Sequence, residues 1–173
     1  MAKGFTIIEM LVIIGVLTVL SGLLILYSRT GELTSVLLRE SAKIASNLNR
    51  VKNMSLTTTE FVDQQGKTIK PCGYGVFFDK TNNQYIIFAD SNQNCQTSNH
   101  LRPVDGSSDV ETIALTLPLV IDFTTIDQVF FLPPDPTVFF EPQTITEAEI
   151  GIKAPNGATM RVKINKTGQV STF

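Results

Sequence analysis

One histidine, His100, and two cysteines, Cys72 and Cys95, are all the imidazole and thiol groups that this 173-residue chain holds. At these spacings they match no zinc pattern, which needs four such side chains in closely spaced pairs. A lone histidine in the polar stretch SNHLRPVDG, with no second histidine and no poised nucleophile beside it, supplies no nucleophile-and-base pair. We read His100 as a surface residue. No nucleotide-binding glycine loop is present either. An excess of charge is also missing: the formal net charge is −2, which removes a global electrostatic case for nucleic acid or anionic lipid as the main partner. The chain is therefore read as a non-enzyme, and no cofactor is implied.

Charge disappears altogether over one stretch. From Met10 to Tyr27 (MLVIIGVLTVLSGLLILY) there is no charged residue, and back to Phe5 the only interruption is Glu9. About 20 apolar residues cross a bilayer as a helix, and this run of 23 is long enough. A removable secretory signal would have a shorter apolar core and a small-residue cleavage site after it. Here the run continues into ILYSRTGEL without such a site. A plain signal anchor explains the length but gives Glu9 no purpose, since a carboxylate at the edge of a membrane helix costs several kcal/mol unless paired or neutralised. Cleavage after Gly4 would supply a partner. It creates an α-amino group on Phe5, one helical turn from Glu9, and low dielectric would make that pairing strong and register-specific, within one chain or between copies.

The segment KGFTIIEMLVIIGVLTVL resembles the type III signal sequence of type IV prepilins and type II secretion pseudopilins. The resemblance implies that Gly4 precedes the cut made by prepilin peptidase, that Phe5 becomes the N-methylated first residue, and that Glu9 is the assembly glutamate. Ile7 departs slightly from the commoner leucine. Lys3 and the initiator amine favour an inside N-terminus, although Arg29, beside Glu32, lies on the far side. The implied organisation is a leader over 1–4, a transmembrane and filament-core helix over 5–28, its amphipathic continuation over 29–56, and an extracytoplasmic β-rich domain over 57–173. Gly15, Ser21 and Gly22 would let sister helices approach closely, Gly15 and Gly22 lying two turns apart on one face. The partners implied are other pilin or pseudopilin subunits, the peptidase, an inner-membrane assembly platform, and the lipid bilayer before assembly.

Beyond Tyr27, Leu33, Val36, Leu37, Ile44, Leu48, Val51 and Met54 recur at helical spacing, with Ser41 filling the gap, while Arg39, Lys43, Asn47 and Arg50 fall elsewhere. No proline interrupts Phe5 to Leu56, and a continuous helix of that length would measure roughly 75–80 Å. Strands are expected at Tyr74–Asp79 and Gln84–Asp90 around a turn at Lys80–Asn83, then at Glu111–Leu117, Gln128–Leu132, Thr137–Glu141 after the Pro133–Pro136 turn, Ala148–Lys153, Thr159–Asn165 and Gln169–Phe173. Gly157 and Gly168 stand where turns need positive φ. The fold class is α+β, a long pilin-like N-terminal helix packed on an antiparallel β domain. One helix and about seven strands ending in RVKINKTGQV resemble the minor pseudopilin H, FimT-like branch.

Cys72 and Cys95 flank the first hairpin and are expected to form a disulfide, two free buried thiols being the alternative. Asp90, Asn92 and Asn94 follow the first half of a calcium loop, but Cys95 replaces the glycine and Leu101 the closing glutamate, so a polar loop with local Asx turns is the preferred reading. Glu147 and Glu149 read as a solvated strand face. Lys153, Arg161, Lys163 and Lys166 make the C-terminal end net positive and are candidate DNA contacts, without aromatic stacking partners among them.

Overall fold

The computed structural model describes residues 6–62, 66–92, 94–134 and 137–173, with the backbone alone at 25–30. Helix α1 spans Ile7–Leu56. The 50 residues of α1 make a rod roughly 75 Å long. It starts where Thr6 caps it and ends at Thr57, whose amide donates back to the carbonyl oxygen of Asn53. The cap residue and the missing prolines decide these ends.

The two halves of α1 have different surroundings. Leu37, Ser41, Ile44, Leu48, Val51 and Ser55 are buried against the β domain, as the three-to-four spacing predicts. By contrast, none of the 18 residues Ile7–Leu24 is buried against the chain's own atoms.

Among the described residues eleven antiparallel strands follow. Two-residue strands β1 (Phe61–Val62) and β2 (Thr68–Ile69) pair with each other alone. Strands β3 (Tyr74–Asp79), β4 (Gln84–Ala89), β5 (Asp109–Ala114), β7 (Gln128–Leu132) and β8 (Thr137–Glu141) form a five-stranded sheet in the order β5-β4-β3-β7-β8. Strands β6 (Val120–Thr124), β9 (Glu147–Lys153), β10 (Thr159–Asn165) and β11 (Val170–Thr172) form a four-stranded sheet in the order β11-β10-β9-β6.

The sheets share one core with the C-terminal half of α1. Alternate residues from each enter it: Tyr74, Val76, Phe78, Tyr85, Ile87, Val129 and Phe131 from the larger sheet, and Ile150, Ile152, Val162 and Ile164 from the smaller. The expected alternation of Val162 and Ile164 against Arg161 and Lys163 is present. Single hydrogen bonds join the sheets at their margins, Val138 N to Lys166 O and Ile121 N to Asn83 Oδ1. The larger sheet also buries its other face, because the β4–β5 connection folds back over it; this is why β4 is apolar at nearly every position. On that face Phe88 and Phe130 stack where Gly73 and Gly75 leave no room for a Cβ.

Strand ends differ modestly from the sequence expectation. β4 stops at Ala89, because Asp90 turns its side chain into the following loop, and β5 runs from Asp109 to Ala114 rather than from Glu111 to Leu117. β9 begins one residue early, at Glu147, and β11 is trimmed to Val170–Thr172. β1, β2 and β6 were not expected. The first two are too short to show a period, and β6 carries a register shift between Ile121 and Phe123 that breaks its alternation. Gly157 and Gly168 do take positive φ, and positions 135 and 136 of the expected proline turn lie outside the described residues.

Because only one half of α1 supports the domain, paired substitutions should separate them. Ile44→Ala is expected to lower stability by about 2–4 kcal/mol in denaturant unfolding, while Ile14→Ala leaves the unfolding midpoint of the β domain unchanged. Equal losses would show that both halves support the domain.

Candidate functional site

The N-terminal end of α1 is built around a capping box. The Thr6 amide and hydroxyl both donate to Glu9 Oε2, each at 2.9 Å, and Glu9 N donates to Thr6 Oγ1 at 3.3 Å. Two backbone donors that a helix start leaves without partners are thereby satisfied reciprocally. Glu9 thus has a local use that our sequence reading did not give it, although Thr-x-x-Glu before an apolar run is its signature. Gly4 and Phe5 lie outside the described residues, so the expected cleavage bond has no structural account.

Past the capping box lies the one helical segment among the described residues that is long and apolar enough to cross a membrane, Ile7–Leu24. Its surface carries two shallow apolar grooves. Leu11, Val12, Gly15, Val16, Val19 and Leu20 line the first; Ile14, Leu17, Thr18, Ser21 and Gly22 line the second. Gly15 and Gly22 therefore open neighbouring grooves rather than a single one, and among the described residues nothing lies within 4 Å of where a Cβ of either glycine would stand. The Thr18 hydroxyl is satisfied within the helix by the Gly15 carbonyl oxygen, at 2.8 Å.

Where α1 meets the domain, a row of polar side chains faces β4 and β5. Glu40, only 2% exposed, accepts from Thr116 Oγ1 at 2.6 Å, and Lys43 Nζ lies 3.7 Å from its second oxygen. One and two turns further on, Asn47 Nδ2 donates to Tyr85 Oη at 2.7 Å and Arg50 pairs with Glu111 at 2.8 Å. Burial, helped by the nearby Glu40 and Glu111 charges and opposed by the Asn47 bond, pushes the Tyr85 hydroxyl up to about 12. Glu40 sits on the half-apolar side of the helix, and our sequence reading passed over it.

The cysteines form the expected disulfide, with Cα atoms 5.2 Å apart. The ladder of the β3–β4 hairpin continues past the strand ends, Cys72 N donating to Asp90 O and Asp90 N to Gly73 O. The loop after Asp90 then turns back to bring Cys95 beside Cys72, five residues beyond the last rung of the ladder.

That loop is organised by Asp90. Its carboxylate, 3% exposed, accepts from Ser98 Oγ (2.5 Å), from the Asn92 amide (3.1 Å) and side chain (2.9 Å), and pairs with His100 Nδ1 (2.9 Å). Burial acts to raise the Asp90 carboxyl, but the bonds to Ser98, His100 and Asn92 outweigh it and hold it below its ordinary value. The expectation for His100 needs correction: its side chain is 12% exposed and stacks on Phe130, with centroids 4.8 Å apart, and against Phe139. A polar flanking sequence concealed it, because its partners lie on β7 and β8. Ser98 bonds to Asp90 rather than to the imidazole, and the His100 amide donates to Ser98 Oγ, so this cluster holds a loop and does not activate the hydroxyl. Asp90 and Asn92 bond to each other and Asn94 Oδ1 accepts from Gln96 N, the Asx-turn arrangement. Among the described residues no three His, Cys, Asp or Glu side chains converge as a metal site.

Comparisons with protein-family models, curated proteins and solved structures give no match. The reading of this chain therefore stands on its geometry.

Three of the four C-terminal bases have acidic partners. Lys163 pairs with Glu147 at 2.5 Å, Arg161 with Glu149 at 3.4 Å and Lys153 with Asp122 at 3.9 Å; Lys166 sits in the β10–β11 turn. Glu147 and Glu149 are thus neutralised across the β9–β10 ladder. An aromatic partner does exist, since the Arg161 guanidinium lies 5.1 Å over the Phe123 ring, and that ring packs on Gly151, where a Cβ would overlap it.

The Asp90 network predicts an acid sensitivity. A carboxyl lowered on folding contributes stability above its unfolded value near 3.8, and that contribution is lost as pH falls through the lower folded value. Asp90→Ala should destabilise by about 2–3 kcal/mol at pH 7 and flatten the fall of the melting temperature below pH 4. An unchanged acid limb in the variant would contradict the assignment.

Proposed function

We propose that the chain is a structural subunit, a minor pilin or pseudopilin, of a type IV pilus or type II secretion filament. On this reading it is cut after Gly4, N-methylated at Phe5, and assembled through α1. One observation carries the proposal: an apolar helical stretch, 18 residues long and wholly uncovered, runs without a break into a half that is seated in the core of a β domain. A rigid rod of this kind couples whatever packs around its apolar end to the domain it carries.

In this account the chain is first a single-pass inner-membrane protein with its N-terminus inside. Lipid covers Ile7–Leu24 until the apolar ends of sister subunits replace it at the assembly platform, and the β domain ends up on the extracytoplasmic filament. The grooves at Gly15 and at Ser21–Gly22 suit close packing of a second helix. Glu9 changes partners in this scheme. Thr6 satisfies it in the isolated chain, and the Phe5 amine of the same or a neighbouring copy does so after the cut. The chain is a peptidase substrate and does no chemistry of its own. A DNA-binding minor pilin is the alternative considered, and the pairing of Lys153, Arg161 and Lys163 with acids weighs against it. Nothing in the geometry favours a major pilin.

Gly4→Leu is expected to leave uncut precursor in the membrane, and normal maturation would overturn the cleavage assignment. Two replacements of Glu9 separate its roles. Glutamine still completes a capping box but carries no charge, and alanine does neither. If charge pairing drives assembly, Glu9→Gln and Glu9→Ala are both processed and both absent from filaments. Normal incorporation of Glu9→Gln would reduce Glu9 to a helix cap.

A further inference from the structure

We propose that Cys95 is the exchange sulfur of the Cys72–Cys95 disulfide, the atom at which a thiolate-bearing partner makes and breaks the bond. The two ends of the bond have opposite surroundings. Cys72 is 2% exposed, lies in the buried run Pro71–Val76, and has its amide tied to the Asp90 carbonyl oxygen. Cys95 is exposed at the start of a turn, and both cysteines border an open cleft of about 610 Å³ together with Lys70, Gln96 and His100, Cys72 contributing almost none of its surface. Exchange depends on which sulfur an attacking thiolate can reach, and displacement runs along the S–S axis. Both cysteines border the cleft, but Cys72 leaves only 2% of its surface open to an attacking thiolate, whereas Cys95 is exposed. Lys70 places a positive charge among the residues that line the approach, which favours an anionic nucleophile.

The step balances as an ordinary exchange. The incoming thiolate bonds to Cys95 Sγ, the Sγ–Sγ bond breaks, and Cys72 leaves with the electron pair and takes a proton from water. The Asn92 carbonyl oxygen, 3.2 Å from Cys72 Sγ, is already placed to accept that S–H. A second thiol of the partner then displaces Cys95, so that two partner thiols become a disulfide while Cys72 and Cys95 are reduced. The reverse sequence, with a disulfide-bearing partner, installs the bond. Meanwhile Asp90 holds Asn92, Ser98 and His100 by bonds independent of the disulfide, so Cys95 stays at the cleft when Cys72 departs.

The oxidised full chain in detergent micelles can be given a brief pulse of reduced glutathione, quenched with acid and blocked with N-ethylmaleimide. Cleavage after Lys80 puts the two cysteines on separate peptides. Mass spectrometry should find the glutathione adduct at least ten-fold enriched on the Cys95 peptide, with the maleimide on Cys72. An even split, or an adduct mainly on Cys72, would overturn the proposal. Should the mixed disulfide resolve before trapping, the single variants decide. The thiol left by Cys72→Ser must react with an aromatic disulfide reagent at least ten-fold faster than the thiol left by Cys95→Ser, and equal rates overturn the assignment.

Discussion

Apolar surface in water is unfavourable by about 25 cal/mol per Å², and the first half of α1 presents more of it than the rest of the molecule can offset. Thirteen large apolar side chains between Ile7 and Leu24 are exposed. At about 1.5–3 kcal/mol for each one covered, the stretch represents about 20–40 kcal/mol, against a typical domain stability of about 5–15 kcal/mol. No rearrangement of the β domain removes this surface, because the helix carrying it projects away from the two sheets. Something outside the chain has to cover it, and on our proposal lipid does so first and sister helices afterwards.

The remainder of the structure serves to keep that helix straight and firmly held. A continuous backbone with no proline transmits position from one end to the other. At the seated end, apolar residues alone would allow α1 to slide by a turn with little change in buried area. The polar row from Glu40 to Arg50 opposes such sliding: Thr116, Tyr85 and Glu111 meet their partners in one axial register only. A one-turn shift would leave the Glu40 carboxylate buried without its hydroxyl donor, a loss of several kcal/mol. Together these contacts make the domain and rod a single mechanical unit.

Much of this was legible in the sequence. The end of α1 at Leu56, the core face from Leu37 to Val51, both glycine turns and the strands at Tyr74–Asp79, Gln128–Leu132, Thr137–Glu141 and Thr159–Asn165 follow from periodicity and turn chemistry, which are local. The disulfide was legible as well, once the hairpin was assumed to bring its ends together. His100 was not, because its burial depends on Phe130 and Phe139, about 30 and 39 positions away along the chain. Glu40 was hidden for the same reason, its hydroxyl partner lying 76 residues distant. β6 escaped because its register shift erased the alternation that marks a strand. The Glu9 capping box is a different case. Its signal was present locally, but the cost of a carboxylate at the edge of an apolar helix pointed instead to the Phe5 amine, of the same chain or of a neighbouring copy.

Neighbour mapping along the exposed stretch tests the central claim most directly. A photo-cross-linking residue placed at Val16 or Leu20, in cells that assemble the filament, reports what covers this surface. The account predicts adducts to lipid in the membrane pool and to the apolar N-terminal helices of other subunits in the filament pool. Cross-links to the chain's own β domain, or a chain recovered soluble and uncross-linked, would contradict it.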